Sequence, residues 1–509
     1  MVNYRLVLLS LFSLLCASVS KAVGPYWDVK PSTWASGATL MQSVAFKGPR
    51  PWVDVIGSSA TGNGTTDDLA AIKRAIAIST SVGGGVVYFP PGTYSISNQI
   101  VVPSNVTILG AGEQSTTIKA AAGFPSGKDV IHLGPNDSQN YTETGGGQYI
   151  EVRDLHIDGT NTSGVSYGIA AFGVDFFKAV GVRISSTSAY GIIVQGSTTT
   201  LMKSPLVAYC HFNRCGRTGT SDTLGGGNNS DARYIFNTFE NCYGTAIDNV
   251  NVTRALWMGN RSINNGANLG SMWSDYGMTD SQIIGNYIHR GTIHIYGQLG
   301  SDRGPPSDIM LAYNHLEQPG GSSILASPVN QVSTDTGKVS NLKIIGNTIY
   351  QANDYAINIG DAPGCIITGN HIYQWDTSNI GAAAINLDSG VATTVGSTSC
   401  VVTANTGVIG NSTLWYRENA SASQVMNNQV YGNDFGSNAT YTLSTNTPKT
   451  IYNDFKRFSK TLAQILALTP DYAGQQYYCS NCATDAICIS TGTGTGAFVR
   501  ASARTTVCN

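Results

Sequence analysis

Between positions 222 and 303 the chain carries side chains able to do acid–base chemistry on a sugar. Asp222, Asp248 and Asp275 stand 26 and 27 residues apart. Trp273 precedes the last of them, His294 and Tyr296 follow, and Asp302 and Arg303 come after. Cleaving a glycosidic bond needs one protonated carboxyl and a second carboxylate, held about 6.5–9.5 Å apart when a water is to attack between them. Crowding two carboxylates keeps one of them protonated, because like charges oppose the second ionisation. Trp273 and Tyr296 offer flat faces to sugar rings. Arg303 offers a fork of donors to a carboxylate or hydroxyl, and Asn249 offers an amide beside Asp248. The expectation is therefore Asp248, Asp275, His294 and Asp222 as catalytic residues, and Trp273, Tyr296, Arg303 and Asn249 as substrate contacts. No metal ligand set is assigned. The competing reading of each acid is a turn residue, since Asp and Asn are common at the bends of repetitive β structure.

These residues need a scaffold that brings positions 25 or so apart side by side. A recurring segment supplies it: apolar-x-apolar, then Gly-Asn or a lone Asn, then a further apolar residue. It appears around Asn237, Asn260, Asn286, Asn314, Asn347, Asn370 and Asn428, with spacings of 23 to 33 up to Asn370 and a last gap of 58. Copies without the Asn run from Val152 to Ile157, Val180 to Ile184 and Ala208 to Phe212. A coil of two or three short strands per repeat buries its alternate residues only against the coils above and below. An Asn at one bend of each coil tolerates left-handed backbone geometry and bonds to its counterpart in the next. After each Asn segment comes another strand, as in Tyr190 to Gln195, Tyr243 to Asp248, Gly291 to Tyr296, Tyr355 to Ile359 and Ala384 to Asp388, expected to stack into a second sheet. With 58 Gly and 12% charged residues in 509, the composition fits many short strands joined by polar turns. The fold expected is all-β: a right-handed parallel β-helix with an N-terminal capping helix and a small Cys-rich C-terminal cap.

Residues 53 to 94 differ from the repeat. Val53-Asp-Val-Ile is followed by Gly62-Asn-Gly-Thr-Thr-Asp67-Asp68, a helical Ala70-Ala-Ile-Lys-Arg-Ala-Ile76, and Gly83-Gly-Gly-Val-Val-Tyr-Phe-Pro-Pro-Gly-Thr-Tyr94. Asp67 is placed to cap a helix carrying Ile72 and Ile76, and that helix would cover the open end of the stack. This run resembles the opening motif of the pectate-lyase-like β-helix superfamily, shared by polygalacturonase-like hydrolases, epimerases and phage tailspikes. Asn63 stands where an Asp is frequent in that motif. With the coils that follow, the resemblance covers roughly residues 50 to 440. It speaks for fold and not for reaction, and Asp67 and Asp68 are read as structural. The resemblance implies catalysis on the outside of one sheet, where side chains of successive coils line up. On neighbouring strands about 4.8 Å apart, Asp222, Asp248, Asp275 and His294 then come within working distance. Later coils offer Ser327, Asn358, Asp361, Asn386 and Asp388. The motif sets of polygalacturonases and of alginate epimerases are both absent in their usual order.

The N-terminus reads as a leader: Arg5, an apolar run from Leu6 to Leu15, then small residues. The expected organisation is 1–20 signal peptide, 21–455 β-helix and 456–509 Cys-rich cap, in a secreted, extracellular and monomeric protein. Of ten cysteines Cys16 falls in the leader, and the nine others are expected to form disulfides with at least one left over. Cys479, Cys482, Cys488 and Cys508 are read as a disulfide-stapled cap rather than a four-thiolate zinc site. Sequons such as Asn105-Val-Thr and Asn251-Val-Thr suit a glycoprotein if the host glycosylates. A net charge of −2 with no long basic run argues against nucleic acid, and no later apolar stretch is long enough to span a membrane.

The partner expected is an extracellular or cell-wall polysaccharide, and the activity expected is glycoside hydrolysis without a cofactor. A polysaccharide lyase or uronate C5-epimerase is the alternative, with His294, Tyr296 or Arg303 handling the C5 proton and calcium entering only on the lyase reading. A non-catalytic carbohydrate-binding surface is the third.

Overall fold

A computed structural model describes residues 52–442, apart from 135–145, 160–164, 198, 217–221, 264, 266–270, 276, 298–304, 329–337, 389–396, 420–427 and 437, together with shorter runs between 451 and 507. The chain winds as a right-handed parallel β-helix. Each coil gives one strand to each of three parallel sheets. The first sheet runs from Trp52–Asp54 to Ile451–Asn453, the second from Asn63–Asp67 to Thr406–Val408, and the third from Ile100–Val102 to Thr440–Thr442.

The alternation of apolar residues dictates what fills the tube. In the first sheet Tyr234, Trp257, Ile283, Leu311, Ile344 and Ile367 stack in register, all fully buried. In the second, Ile288, Leu316, Ile349 and Ile372 do the same. Each coil therefore completes its neighbour's core, which is why no single coil is stable alone.

The Asn segment proves to be two strands and a corner. It ends a strand of the first sheet, turns, and begins a strand of the second, so the strands expected in a second sheet form the third. At the corner stands a ladder of buried asparagines: Asn237, Asn260, Asn286, Asn314, Asn347, Asn370, Asn405 and Asn433. The backbone N–H and Nδ2 of Asn260 both donate to Asn286 Oδ1, at 2.9 and 3.0 Å, and Nδ2 also donates to Tyr234 O at 2.8 Å. Asn286 repeats this on Asn314. Two expectations are corrected here. The left-handed residue is the one before each Asn, as with Gly259, Gly285, Gly346 and Gly369 at φ 64–65°, which explains the recurring Gly-Asn pair. And the ladder continues through Asn405 and Asn433, while Asn428 accepts the backbone N–H of Cys400 and donates to Glu418.

The helix Leu69–Ser81 packs its buried Leu69, Ile72, Ala75 and Ile76 against the first strands of the stack. Asp67 Oδ1 accepts the backbone N–H of Leu69 at 3.1 Å. Asp68 latches the preceding loop, accepting the N–H groups of Thr61 and Gly62. Cys365 and Cys400, on adjacent coils, are joined as a disulfide. Cys210, Cys215 and Cys242 are buried thiols, which corrects the expectation of disulfides there. Strands Gln476–Cys479, Ile487–Ser490, Phe498–Arg500 and Ala503–Val507 belong to a separate five-stranded sheet. Cys488 in it is disulfide-bonded, so it is not a zinc thiolate. Cys482 and Cys508, like the leader, lie outside the described residues. Among the described residues no helix is long and apolar enough to cross a membrane.

Truncating Asn286 to Ala would strand two donors of Asn260 and remove donors from Trp257 O and Asn314. We expect Asn286→Ala to cost at least about 2–3 kcal/mol, read as a lowered urea midpoint. Gln282→Ala on the exposed face should stay within about 0.5 kcal/mol.

Candidate active site

In the third sheet Asp248 lies between Gly225 and Trp273, Trp273 beside His294, and His294 beside Leu325. Their neighbours Ile247, Met272 and Ile293 on one side, and Asn249, Ser274 and Ile295 on the other, are buried in the tube. Strand alternation therefore turns the Asp248–Trp273–His294 row outward, and with it the Val250–Asp275–Tyr296 row two residues on.

Three carboxyls converge on this face. Asp222 stands two residues before its strand and accepts the hydroxyl of Thr245 from the next coil. It is also hydrogen-bonded to Tyr190 and to Asp248. Burial raises Asp222 above the usual carboxylate range, and these hydrogen bonds work against that rise. Asp248 is pushed well above the range, by burial first and then by the charges of Asp222 and Asp275. Two carboxyls in hydrogen-bond contact require one proton between them. Asp248 is the one that holds it, because Asp222 alone has the hydroxyl donors. Asp275 is raised to about 6, by burial and by Asp222, and so is ionised at neutral pH.

Around the acids sits an aromatic cluster. Trp273 meets His294 edge-on at 5.9 Å and Tyr296 edge-on at 6.0 Å, while the His294 and Tyr296 rings lie 3.4 Å apart. These rings cover His294, which is 5% exposed. Burial alone pushes its imidazole down to about 3, so it is neutral at working pH. Asp248 Oδ1, Trp273 Nε1 and His294 Nε2 are all closed off from solvent and have no hydrogen-bond partner among the described residues. Three orphaned polar atoms in one row of one sheet face carry a desolvation cost.

The fold thus brings together Asp222, Asp248, Asp275, Trp273, His294 and Tyr296. Asn249 does not join them: it points into the tube, where its Oδ1 accepts from Asn229 Nδ2 and from the Tyr234 hydroxyl, each at 3.2 Å. Arg303, Asp302 and Tyr276 lie outside the described residues. Asp231 sits at a corner and pairs with Arg254 through two 2.8 Å contacts. Tyr190 and Thr245 are additions. They precede their strands by two residues, as Asp222 does, and that shared offset was the available signal. Among the described residues no three of His, Cys, Asp and Glu are arranged to hold a metal ion.

Residues 52–271 match the family described as rhamnogalacturonase A/epimerase, pectate lyase-like. A mannuronan C5-epimerase of Azotobacter vinelandii is 37% identical over 114 residues, which make up 21% of this chain and 11% of that protein. A probable glucan endo-1,3-beta-glucosidase of Arthroderma benhamiae is 36% identical over 110 residues, 19% of this chain and 12% of that protein. The A-module of another A. vinelandii mannuronan C-5 epimerase shares the fold at a TM-score of 0.50 and 18% identity, covering 79% of this chain and 99% of that one. The chain shares the parallel β-helix fold, and within residues 52–271 it resembles pectate-lyase-like proteins.

The acid cluster sets a pH dependence of stability. A carboxyl with a raised folded pKa binds its proton more tightly folded than unfolded. Its contribution is complete below the unfolded value and is lost as pH rises through the folded one. For Asp275 that window runs from 3.8 to about 6. We expect the urea midpoint to fall across this window in the wild type and to fall less in Asp275→Asn. Parallel curves for the two proteins would remove Asp275 from the cluster.

Proposed function

We propose that this pectate-lyase-like β-helix is a polysaccharide-active glycoside hydrolase whose acid and base come from Asp248 and Asp275. The observation that carries the reading is the hydrogen-bonded Asp222–Asp248 pair with Asp275 one coil away. Asp248, keeping its proton at neutral pH, is suited to protonate the leaving oxygen. Asp222, held by Tyr190 and Thr245, poises that proton. Asp275, ionised, is suited to take a proton from the attacking water. The two working acids are one strand and two residues apart, which places their backbones roughly 8 Å from each other. Outward carboxyls on such backbones have room to hold a water between them, as a single displacement with inversion requires. Trp273 and Tyr296 would stack on sugar rings.

Lyase or epimerase chemistry is the second reading, favoured by the likeness of part of the chain to the mannuronan C5-epimerase. Taking a proton from C5 of a uronate calls for a neutralised sugar carboxylate and a competent base. Among the described residues no cation offsets the charge at Asp248 or Asp275. His294, pushed down to about 3, is a weak base.

Incubation with a panel of plant, algal and fungal polysaccharides should release reducing ends without the ultraviolet absorbance of an unsaturated product. Proton NMR of the first product should show the inverted anomer. Asp248→Asn and Asp275→Asn should each lower kcat about 10²–10⁴-fold while keeping the fold. The acid limb of kcat/KM should have an apparent pKa near 6, because Asp275 must be ionised to act. An ultraviolet-absorbing product, or full activity in both variants, overturns the assignment.

A further inference from the structure

The outward row that carries Asp248, Trp273 and His294 continues down the third sheet through Leu325, Asn358 and Asn386 to Arg417. Arg417 is held in place. Its Nε donates to Asn386 Oδ1 at 2.8 Å, one terminal nitrogen donates to the Tyr355 hydroxyl, and the guanidinium lies 4.9 Å over the Tyr355 ring. Asn386 Nδ2 in turn donates to Asn358 Oδ1 at 2.8 Å. An arginine can only donate, so Asn386 must present its oxygen to Arg417 and its amide hydrogens to Asn358. The polarity of the chain is thereby set, and it leaves Asn358 Nδ2 and the remaining Arg417 N–H groups as donors on the outer face. Arg153 and Arg254 are each paired with acids. Among the described residues Arg417 has only neutral hydrogen-bond partners and no ion pair.

We propose that Arg417, Asn386 and Asn358 form a distal subsite that binds an anionic group, a carboxylate or a sulfate ester, on a polysaccharide lying along the third sheet. The proposal rests on the reading that a glycan occupies this face. Arg417 is six strands from Asp248, about 29 Å at the usual spacing. That distance exceeds the screening length at physiological salt, about 8 Å. An anion there does not feel the acids, whereas the same group beside Asp275 would be repelled. The planar fork suits either a carboxylate or a sulfate. The subsite would hold a long chain in register while its cleavable bond sits at the acids.

The test is binding by the full-length protein. Polygalacturonate, alginate and chondroitin sulfate are titrated against wild type, Arg417→Gln and Arg417→Lys, alongside carboxyl-reduced or desulfated forms of the same polymers. We expect at least one anionic polymer to bind more tightly than its neutral form. Arg417→Gln should weaken that binding roughly tenfold and leave binding of the neutral form unchanged. Arg417→Lys, which keeps the charge and loses the fork, should bind between wild type and Arg417→Gln, and unchanged denaturation midpoints verify folding. The carboxylated and sulfated arms tell which anion is preferred. The proposal is overturned if no anionic polymer is preferred, or if Arg417→Gln binds as tightly as wild type. If binding falls as expected but no polymer is cleaved, the hydrolytic reading fails and the subsite stands. If a glycan is cleaved and Arg417→Gln changes nothing, the subsite fails and the hydrolytic reading stands.

Discussion

From Asn237 to Asn433, one buried asparagine per coil holds the stack in register. From Asn260 to Asn433 each ladder residue takes two hydrogen bonds on its oxygen and gives two from its amide, as Asn286 does with Asn260, Trp257 and Asn314. A slip of one residue would leave these groups unsatisfied in the interior and would turn every side chain of a strand to the opposite face. The corner is available to Asn because the residue before it takes up the left-handed turn, usually as glycine. Where Phe236 and Tyr313 occupy that position instead, the next coil makes room with Gly259 and Gly346, whose missing Cβ atoms would collide with the rings.

Register is what turns distant residues into a site. Asp222, Asp248 and Asp275 meet only because their coils stack without slippage. The same rigidity holds the acids close enough to repel one another. Burial and repulsion act together to keep a proton on Asp248, while the hydroxyls of Tyr190 and Thr245 favour charge on Asp222. The separation of roles between chemically identical side chains comes from this asymmetry of donors.

Much of this was legible in the sequence. Period-two alternation places Asp248 and Asp275 on the side opposite Ile247 and Ser274, and the Gly-Asn repeat exposes the coil length. The reading failed where a buried polar residue breaks the alternation. Asn249 looks like a partner for Asp248, yet it points into the tube, where its amide oxygen accepts from Asn229 and Tyr234. The strand Leu414–Asn419 went unrecognised because its inward positions are Tyr416 and Glu418, which satisfy each other by a 2.6 Å hydrogen bond. Arg417 was hidden with it. The contact between Tyr190 and Asp222 spans a full coil, and no local pattern announces it.

The central claim is that Asp248 carries a proton at neutral pH although water surrounds the molecule. Infrared difference spectroscopy of wild type against Asp248→Asn at pH 7 tests it directly. The claim predicts a protonated carboxylic C=O band in the wild type that the variant lacks. A spectrum containing only ionised carboxylate bands at that position would contradict it.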